Sequence, residues 1–339
     1  MSDAGETPSG RCGALDRRAA LAGFAAVLGI LVLGSPGVHA GWKPEKTITI
    51  IVPYPPGGTS DRVARLLAQG MSKDFGQSVV VENKPGANGI TGTQAIAGSA
   101  PDGYTIGIVS SSHASTAALL PSLPFDPAGD FTGITPTMRV GTALVVNPSF
   151  EAKTIQELME MAKANPGKYA YGTAGNGQSS HFAGEAMKLA AKVDMTHVPY
   201  KGGAPGLSDV IAGQIPMMYN AISSVMPSIE AAKVRPLVVS LEKRLPQLPD
   251  VPTMMEVGIA DGPVYEWYGI VGPAKMPPEA VKVLNASLVK QLQNPEFADP
   301  LTKQGIEIVT STPEEFDAFI RSEIVRFKEL VAAANIKIE

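Results

Sequence analysis

Cysteine is almost missing from this 339-residue chain: there is one, Cys12, and it lies near the N-terminus. A single thiol forms no intramolecular disulfide and no cysteine-based metal site, so the fold must be held by its core. Histidine is scarce too: the four residues show no paired spacing, which argues against a transition-metal centre, and no D-x-D-x-D-G loop points to calcium. Long apolar runs are absent apart from Ala19 to Leu33, too short to span a membrane comfortably. Charge of either sign is modest: 28 Lys+Arg against 32 Asp+Glu give −4, scattered along the chain, with no polybasic field and no acidic tail. No nucleic-acid partner is expected. Catalytic signatures are missing as well. Gly177-Gln178-Ser179-Ser180-His181 fails the G-x-S-x-G pattern at its last position, Gly175-Asn176-Gly177 fails G-x-G-x-x-G because Ser180 stands where glycine is required, and there is no Walker loop. The expectation is no catalytic residue, no metal and no cofactor.

What is present begins with an export signal. Arg11, Arg17 and Arg18 precede the apolar run, and Val38-His39-Ala40 supplies the small residues of a cleavage site, so residues 1–40 read as a signal peptide cleaved after Ala40. A membrane anchor would have to run past Gly34, Pro36 and Gly37. The Arg17-Arg18 pair also resembles a twin-arginine signal. Cys12 leaves with this segment, and thiol catalysis with it. The remainder is long enough for two domains at about 150 residues each.

From Ile48 onward short β-rich runs alternate with helical patterns, which predicts an α/β architecture with parallel sheets and crossover helices. The predicted strands are Thr47–Val52, Ser78–Glu82, Thr105–Val109, Val140–Val146, Tyr169–Gly172, Met195–Val198, Pro216–Tyr219, Arg235–Ser240, Tyr268–Val271 and Ile306–Val309. Thr154-Ile155-Gln156-Glu157 reads as a capping box, and Pro277-Pro278 opens a helix with Val281, Leu284, Leu288 and Leu292 inward. Thr312-Pro313-Glu314-Glu315 starts a last helix whose stripe of Phe316, Phe319, Ile320, Ile324, Phe327 and Leu330 reads as core. The Pro/Gly-rich stretches Leu123–Gly133, Leu245–Pro252 and Gly258–Pro263 read as ordered loops, not linkers. Two domains without a linker imply crossings through strands, the layout of a hinge-bending binding protein.

Three strand-to-helix junctions are rich in backbone and hydroxyl donors. They are Tyr54-Pro55-Pro56-Gly57-Gly58-Thr59-Ser60-Asp61, Ser110-Ser111-Ser112-His113 and Thr173-Ala174-Gly175-Asn176-Gly177-Gln178-Ser179-Ser180-His181. Each leaves unpaired N–H groups at a positive helix end, a place for a carboxylate, but taken singly each is better accounted for by turn formation and helix capping. Together they can converge at the C-terminal edges of their strands, where α/β proteins bind ligands.

These segments, with Val52-Pro53-Tyr54-Pro55-Pro56-Gly57-Gly58-Thr59-Ser60-Asp61, Val81-Glu82-Asn83-Lys84-Pro85-Gly86-Ala87-Asn88-Gly89, Asp102-Gly103-Tyr104-Thr105, Asp126-Pro127 with Asp130-Phe131, Val198-Pro199-Tyr200-Lys201-Gly202-Gly203 and Leu248-Pro249-Asp250-Val251-Pro252-Thr253, resemble the substrate-binding receptors of tripartite tricarboxylate transporters, often called Bug receptors. The motifs run in order from about Lys46 to the C-terminus. The resemblance implies a two-domain, type II-like Venus-flytrap periplasmic binding protein, a monomer, that captures a small carboxylate and hands it to the membrane components of a tripartite tricarboxylate transporter. It implies domain one at 41–143 plus 266–339 and domain two at 144–265, with crossings near Val140–Val146 and Trp267–Val271. Carried onto this sequence, the ligand residues are Tyr54, Gly57, Gly58 and Thr59; Ser110 and Ser111; Gly175, Gly177, Ser179 and Ser180; and, in the second lobe, Tyr200 and Asn220. Arg62 is expected to face solvent, Asp61 to cap a helix and Pro85 to Gly89 to form a structural turn. Tyr54, Trp267 and Tyr268 are offered as walls for an aromatic acid, with Trp267 equally readable as core. The chain departs from the family at Ala114 to Leu120, which lacks an expected Asn-Pro pair. The other readings are an exported hydrolase using Ser179 or Ser180 with His181, and an accessory sensor presenting its ligand to a signalling partner.

Overall fold

The computed structural model describes residues 41–260, 262–334, Gly5 and Ile336. The expected signal peptide, its cleavage site and the paired arginines lie outside the described residues. The fold described is that of the compact unit Trp42–Glu339.

The chain runs through β1 (Ile48–Val52), α1 (Thr59–Phe75), β2 (Val79–Asn83), a 3-10 turn (Ala87–Gly89), α2 (Ile90–Ala97), β3 (Thr105–Ser110), α3 (Ser111–Leu119) and the long β4 (Phe131–Val146). It continues with α4 (Ile155–Ala164), β5 (Ala170–Thr173), α5 (Ser179–Ala191), β6 (Thr196–Pro199), α6 (Gly203–Ile211), β7 (Met217–Ala221), α7 (Ile222–Glu230) and β8 (Arg235–Val239). It ends with β9 (Tyr265–Pro273), α8 (Pro278–Leu292), α9 (Pro295–Thr302), β10 (Ile306–Ile308) and α10 (Pro313–Ala334).

The strands are hydrogen-bonded in the order β2-β1-β3-β9-β4-β7-β5-β6, with β8 and β10 also on β4. The β1, β2 and β3 pairings and those of β5 with β6 and β7 are parallel, as predicted. Every pairing of β4 and β9 is antiparallel, so the two expected parallel sets are joined through an antiparallel pair of long strands. The cause is the course of the chain. β4 carries it away from the first set of strands, β9 brings it back, and a return strand laid beside the outgoing one runs opposite to it.

β4 is more than twice as long as the strand predicted there, Val140–Val146. Residues 131–141 pair with β9, and residues 142–146 pair with β7, with the change of partner at Gly141. The predicted strand was only its second half, because Gly133 and Pro136 in the first half read as loop. Both sit at register shifts in the ladder, between Gly133 and Thr135 and between Pro136 and Met138, where bulges accommodate residues that an unbroken strand excludes. Gly141 also lies so close to Leu241 and Ile222 that any side chain there would displace them.

The helix starts were better read. The Thr312 hydroxyl accepts from the Glu315 N–H at 3.2 Å while the Glu315 carboxylate accepts from the Thr312 N–H at 3.0 Å, closing the predicted box ahead of α10. Thr154 likewise accepts from the Glu157 N–H. The α8 face of Val281, Leu284, Leu288 and Leu292 is buried, as are Phe316, Ile320, Ile324 and Phe327 of α10. Along α10, Phe316 and Phe319 meet Trp267 of β9 edge-on, and Phe327 packs on Phe182 of α5 with ring centroids 4.6 Å apart. The last helix therefore fastens elements that are far apart in sequence.

Candidate functional site

A cleft of about 520 Å³ opens where the C-terminal ends of β1, β3, β5 and β7 meet the helices that follow them. Its lining includes Tyr54, Gly58, Thr59 and Ser60 from the β1–α1 junction, Asn88, Ser110 and Ser112, then Ala174, Gln178, Ser179 and Ser180, then Asn220, Ala221, Ser223 and Ser224, and finally Glu266 and Tyr268 from β9.

Three helices start at this cleft with no side-chain cap on their first N–H groups. α1 begins after Gly58, α5 after Gln178 and α7 after Ala221, and none of the three preceding residues makes a capping hydrogen bond. Elsewhere α4 and α9 are capped by Thr154 and Asn294 while α2, α6 and α8 are not, so what marks the cleft is that three uncapped starts meet there. Unpaired N–H groups at the positive ends of three helices form a field suited to an anion, and they do so without a cationic side chain.

Beside α1 a hydroxyl network forms the floor. The Tyr54 hydroxyl lies 2.7 Å from both the Ser110 and the Ser112 hydroxyl, and those two lie 3.1 Å apart. Ser110 also caps α3 by accepting from the Ser112 N–H. Burial holds the Tyr54 and Tyr268 phenols above their ordinary range, so both stay protonated. Glu266 accepts from the Ser111 hydroxyl at 2.5 Å, and burial pushes its carboxyl up, against the opposing pull of the Ser111 and Ser110 hydroxyls.

Of the residues expected to bind ligand, Tyr54, Gly58, Thr59, Ser110, Ser179, Ser180 and Asn220 line the cleft. Gly57, Ser111, Gly175, Gly177 and Tyr200 are not among its lining residues. Gly57, at φ 85°, makes the turn and donates its N–H to Asp61; Ser111 is buried and holds Glu266. Gly175, at φ 138°, shapes its loop, and the Gly177 N–H is taken by His181 Nδ1 at 3.2 Å. The Tyr200 hydroxyl donates to Asp209, away from the cleft. The Asn220 amide donates to Gly203 O and accepts from the Ala221 N–H, so much of its capacity is spent locally.

Asp61 is not the helix cap that was expected, since α1 starts after Gly58 without a side-chain cap; it is a structural anchor whose carboxylate takes bonds from Arg65, Gly57 N–H and Asn83, which hold it down at about 2. Arg62 is exposed. The Pro85–Gly89 turn is not only structural, since Asn88 reaches the cleft from it. Trp267 resolves as core. It is 2% exposed, and its ring N–H donates to Glu323. Alternate residues of a strand face opposite ways, so Glu266 and Tyr268 turn to the cleft while Tyr265 and Trp267 are buried.

The residues missed by sequence reasoning are Ser60, Asn88, Ser112, Gln178, Ser223, Ser224 and Glu266. For Ser223 and Ser224 a signal was there: Tyr219-Asn220-Ala221-Ile222-Ser223-Ser224 is a fourth strand-to-helix junction. For Glu266 it was a lone charge inside an otherwise apolar strand.

The pairing of Ser179 or Ser180 with His181 expected of a hydrolase is not formed among the described residues. The Ser180 hydroxyl accepts from the Ala174 N–H, and no hydrogen bond joins Ser179 or Ser180 to His181 among the described residues. His181 instead stacks on His197. Among the described residues no cluster of three His, Cys, Asp or Glu can hold a metal, and no helix is long and apolar enough to cross a membrane.

Comparison with known proteins adds an independent finding. The family model described as "Tripartite tricarboxylate transporter family receptor" matches residues 63–336. The chain is 32% identical to protein BugT of Bordetella pertussis over 321 residues, 93% of this chain and 98% of that protein. An R. palustris protein solved with adipate is 31% identical, with TM-score 0.74 over 87% of this chain and 99% of the other. MatC of Rhodopseudomonas palustris, solved with bound malate, is 30% identical, with TM-score 0.70 over 85% and 99%. The fold is thus that of the α/β periplasmic binding proteins.

Proposed function

The chain belongs to the tripartite tricarboxylate transporter receptor family, and on that premise we propose that it is a periplasmic solute receptor that closes two lobes over a small carboxylate and delivers it to the membrane components of such a transporter. The observation that carries the reading is the convergence of three uncapped helix starts on one hydroxyl-lined cleft. Such a site holds an anion by fixed backbone donors, without a cationic side chain among the lining residues. The lobes are 41–143 with 266–339, and 144–265. The strand switch at Gly141 and the start of β9 at Tyr265 support that division. Motion about β4 and β9 would open and shut the cleft, driven by tighter ligand binding in the closed state. The Thr59 and Tyr54 side belongs to one lobe, and Ser179, Ser180 and Asn220 to the other. That proteins of similar structure were solved with adipate and malate supports a carboxylate as the solute class.

The test is a thermal-shift screen of the purified protein against carboxylates and their uncharged amides. Ligand at one hundred times its dissociation constant adds about 2.7 kcal/mol, which raises the melting temperature by several degrees. A shift produced by acids and lost on amidation is the expected result. Amides that stabilise as well as their acids would overturn the anion reading.

A further inference from the structure

We propose that Glu266 selects the solute by receiving a protonated nitrogen from it, so that the ligand is a carboxylate that also carries a cationic amine. This rests on the receptor reading above and deepens it.

Among the described residues that line the cleft, Glu266 is the only one with a charged side chain; no lysine, arginine or histidine is among them. It sits on β9 opposite Val140, one residue from the strand switch at Gly141, at the base of the cleft. Its protein partners are the hydroxyls of Ser111 and Ser110, and no cationic side chain acts on it. A carboxylate has room for about four hydrogen bonds, so Glu266 keeps acceptor capacity beyond its bond from Ser111. Glu266 keeps an accessible edge on the cleft, so its open oxygen is placed to accept from a donor that the ligand brings.

The rest of the cleft divides the ligand's polarity. The helix starts of α1, α5 and α7 offer N–H donors and suit an anionic group, while Glu266 offers an acceptor and suits a cationic one. A cationic group beside Glu266 holds its carboxylate ionised against the burial that pushes it up, whereas an anionic group is tolerated there only at the cost of protonating Glu266. The lining therefore favours a zwitterion over a simple dicarboxylate, even though proteins of similar structure were solved with malate and adipate.

Pairs of acids that share a carbon skeleton and differ only in 2-amino against 2-hydroxy isolate this contact. The full chain and its Glu266→Gln variant are titrated calorimetrically with L-aspartate and L-malate, L-glutamate and 2-hydroxyglutarate, and L-phenylalanine and phenyllactate. In at least one pair the amino member is expected to bind wild type tenfold or more tightly than the hydroxy member, and Glu266→Gln is expected to erase that preference. Hydroxy acids that bind wild type as well as or better than amino acids overturn the inference and leave the receptor reading standing, and that comparison needs no variant. A preference that survives in Glu266→Gln, with its melting temperature unchanged, overturns the role of Glu266. Failure of every acid to bind overturns the inference together with the receptor reading.

Discussion

His181 and His197 stack face to face, ring centroids 4.0 Å apart and planes 10° from parallel. The pair lies directly behind the β5–α5 loop: His181 Nδ1 accepts from the Gly177 N–H, and His197 Nε2 lies 2.7 Å from the Thr173 hydroxyl. Burial depresses both imidazoles, and for His197, brought to about 4, the neighbouring His181 adds to the effect. Two neutral rings can stack at this distance, whereas two imidazolium ions would repel.

The sign of the pH dependence follows. These histidines have folded-state affinities for protons below the unfolded value of 6.5, so the unfolded chain takes up protons first and stability falls as pH drops from about 6.5 towards 4. His113, 5% exposed and also held at about 4, adds to the same slope. The fully buried His113 contributes up to roughly 1.4 kcal/mol per pH unit in that window, and the half-buried His197 less, because solvent screens it. Urea melts at pH 7.5, 6, 5 and 4.5 should show the decline, and His197→Gln should make it shallower. An unaltered slope in that variant would mean that the stacked pair is not the titrating element.

The two glycines of the first loop should behave differently when substituted. Gly58 has an ordinary φ of −72°, and a Cβ there would meet only Pro55 O at 3.7 Å, yet it lines the cleft. Gly58→Val is expected to weaken carboxylate binding more than tenfold while shifting the melting temperature little. Gly57, at φ 85°, is exposed and open around its Cβ position, so Gly57→Ala should cost about 1 kcal/mol of stability through backbone strain. A titration and a melt on each variant check the contrast, and equal losses of binding and stability in Gly58→Val would return that residue to a turn role.

Asp61 is 3% exposed and is the acceptor for three donors from Gly57, Arg65 and Asn83. Asp61→Ala leaves those donors unpaired and should lower stability by about 2–3 kcal/mol. Because its carboxyl is depressed to about 2, its contribution is complete above pH 3.8 and disappears only as pH falls through about 2, below the histidine window. A Gly57 amide that exchanges no faster with solvent deuterium in the variant would contradict the anchoring role.

On α10, Phe327 is 1% exposed while its neighbour Val325 is 55% exposed. Phe327→Ala should destabilise by about 3–5 kcal/mol through the cavity left against Phe182, whereas Val325→Ala should stay within about 0.5 kcal/mol. Chemical denaturation of both variants measures the difference, and comparable losses would place Val325 in the core as well.

Local patterns were legible where the physics is local. The Thr312 and Thr154 helix starts, the α8 face and most strand positions follow from a few neighbouring residues, and the structure reproduces them to within one or two positions. The first half of β4 was illegible because Gly133 and Pro136 oppose strand formation locally, and only the ladder to β9 overrides them. The cleft was half legible. Thr59, Ser179 and Ser180 announce themselves as hydroxyls at helix starts, but nothing near Gly57, Gly175 and Gly177 in sequence says whether a glycine faces a ligand or bends the chain behind it.

The sequence by itself determined the α/β class, the absence of thiol chemistry among residues after Cys12, the donor-rich junctions and the resemblance to a receptor family, because each is written in composition or in short-range spacing. Only the tertiary structure decided which faces of those junctions meet. It turned Glu266 and Tyr268 into the cleft and Trp267 into the core, set Ser223 and Ser224 beside Ser179, and moved Tyr200 away towards Asp209. The physical reason is that a strand's facing and a helix's approach are fixed by partners distant in the chain: Val140 opposite Glu266, and Phe327 against Phe182.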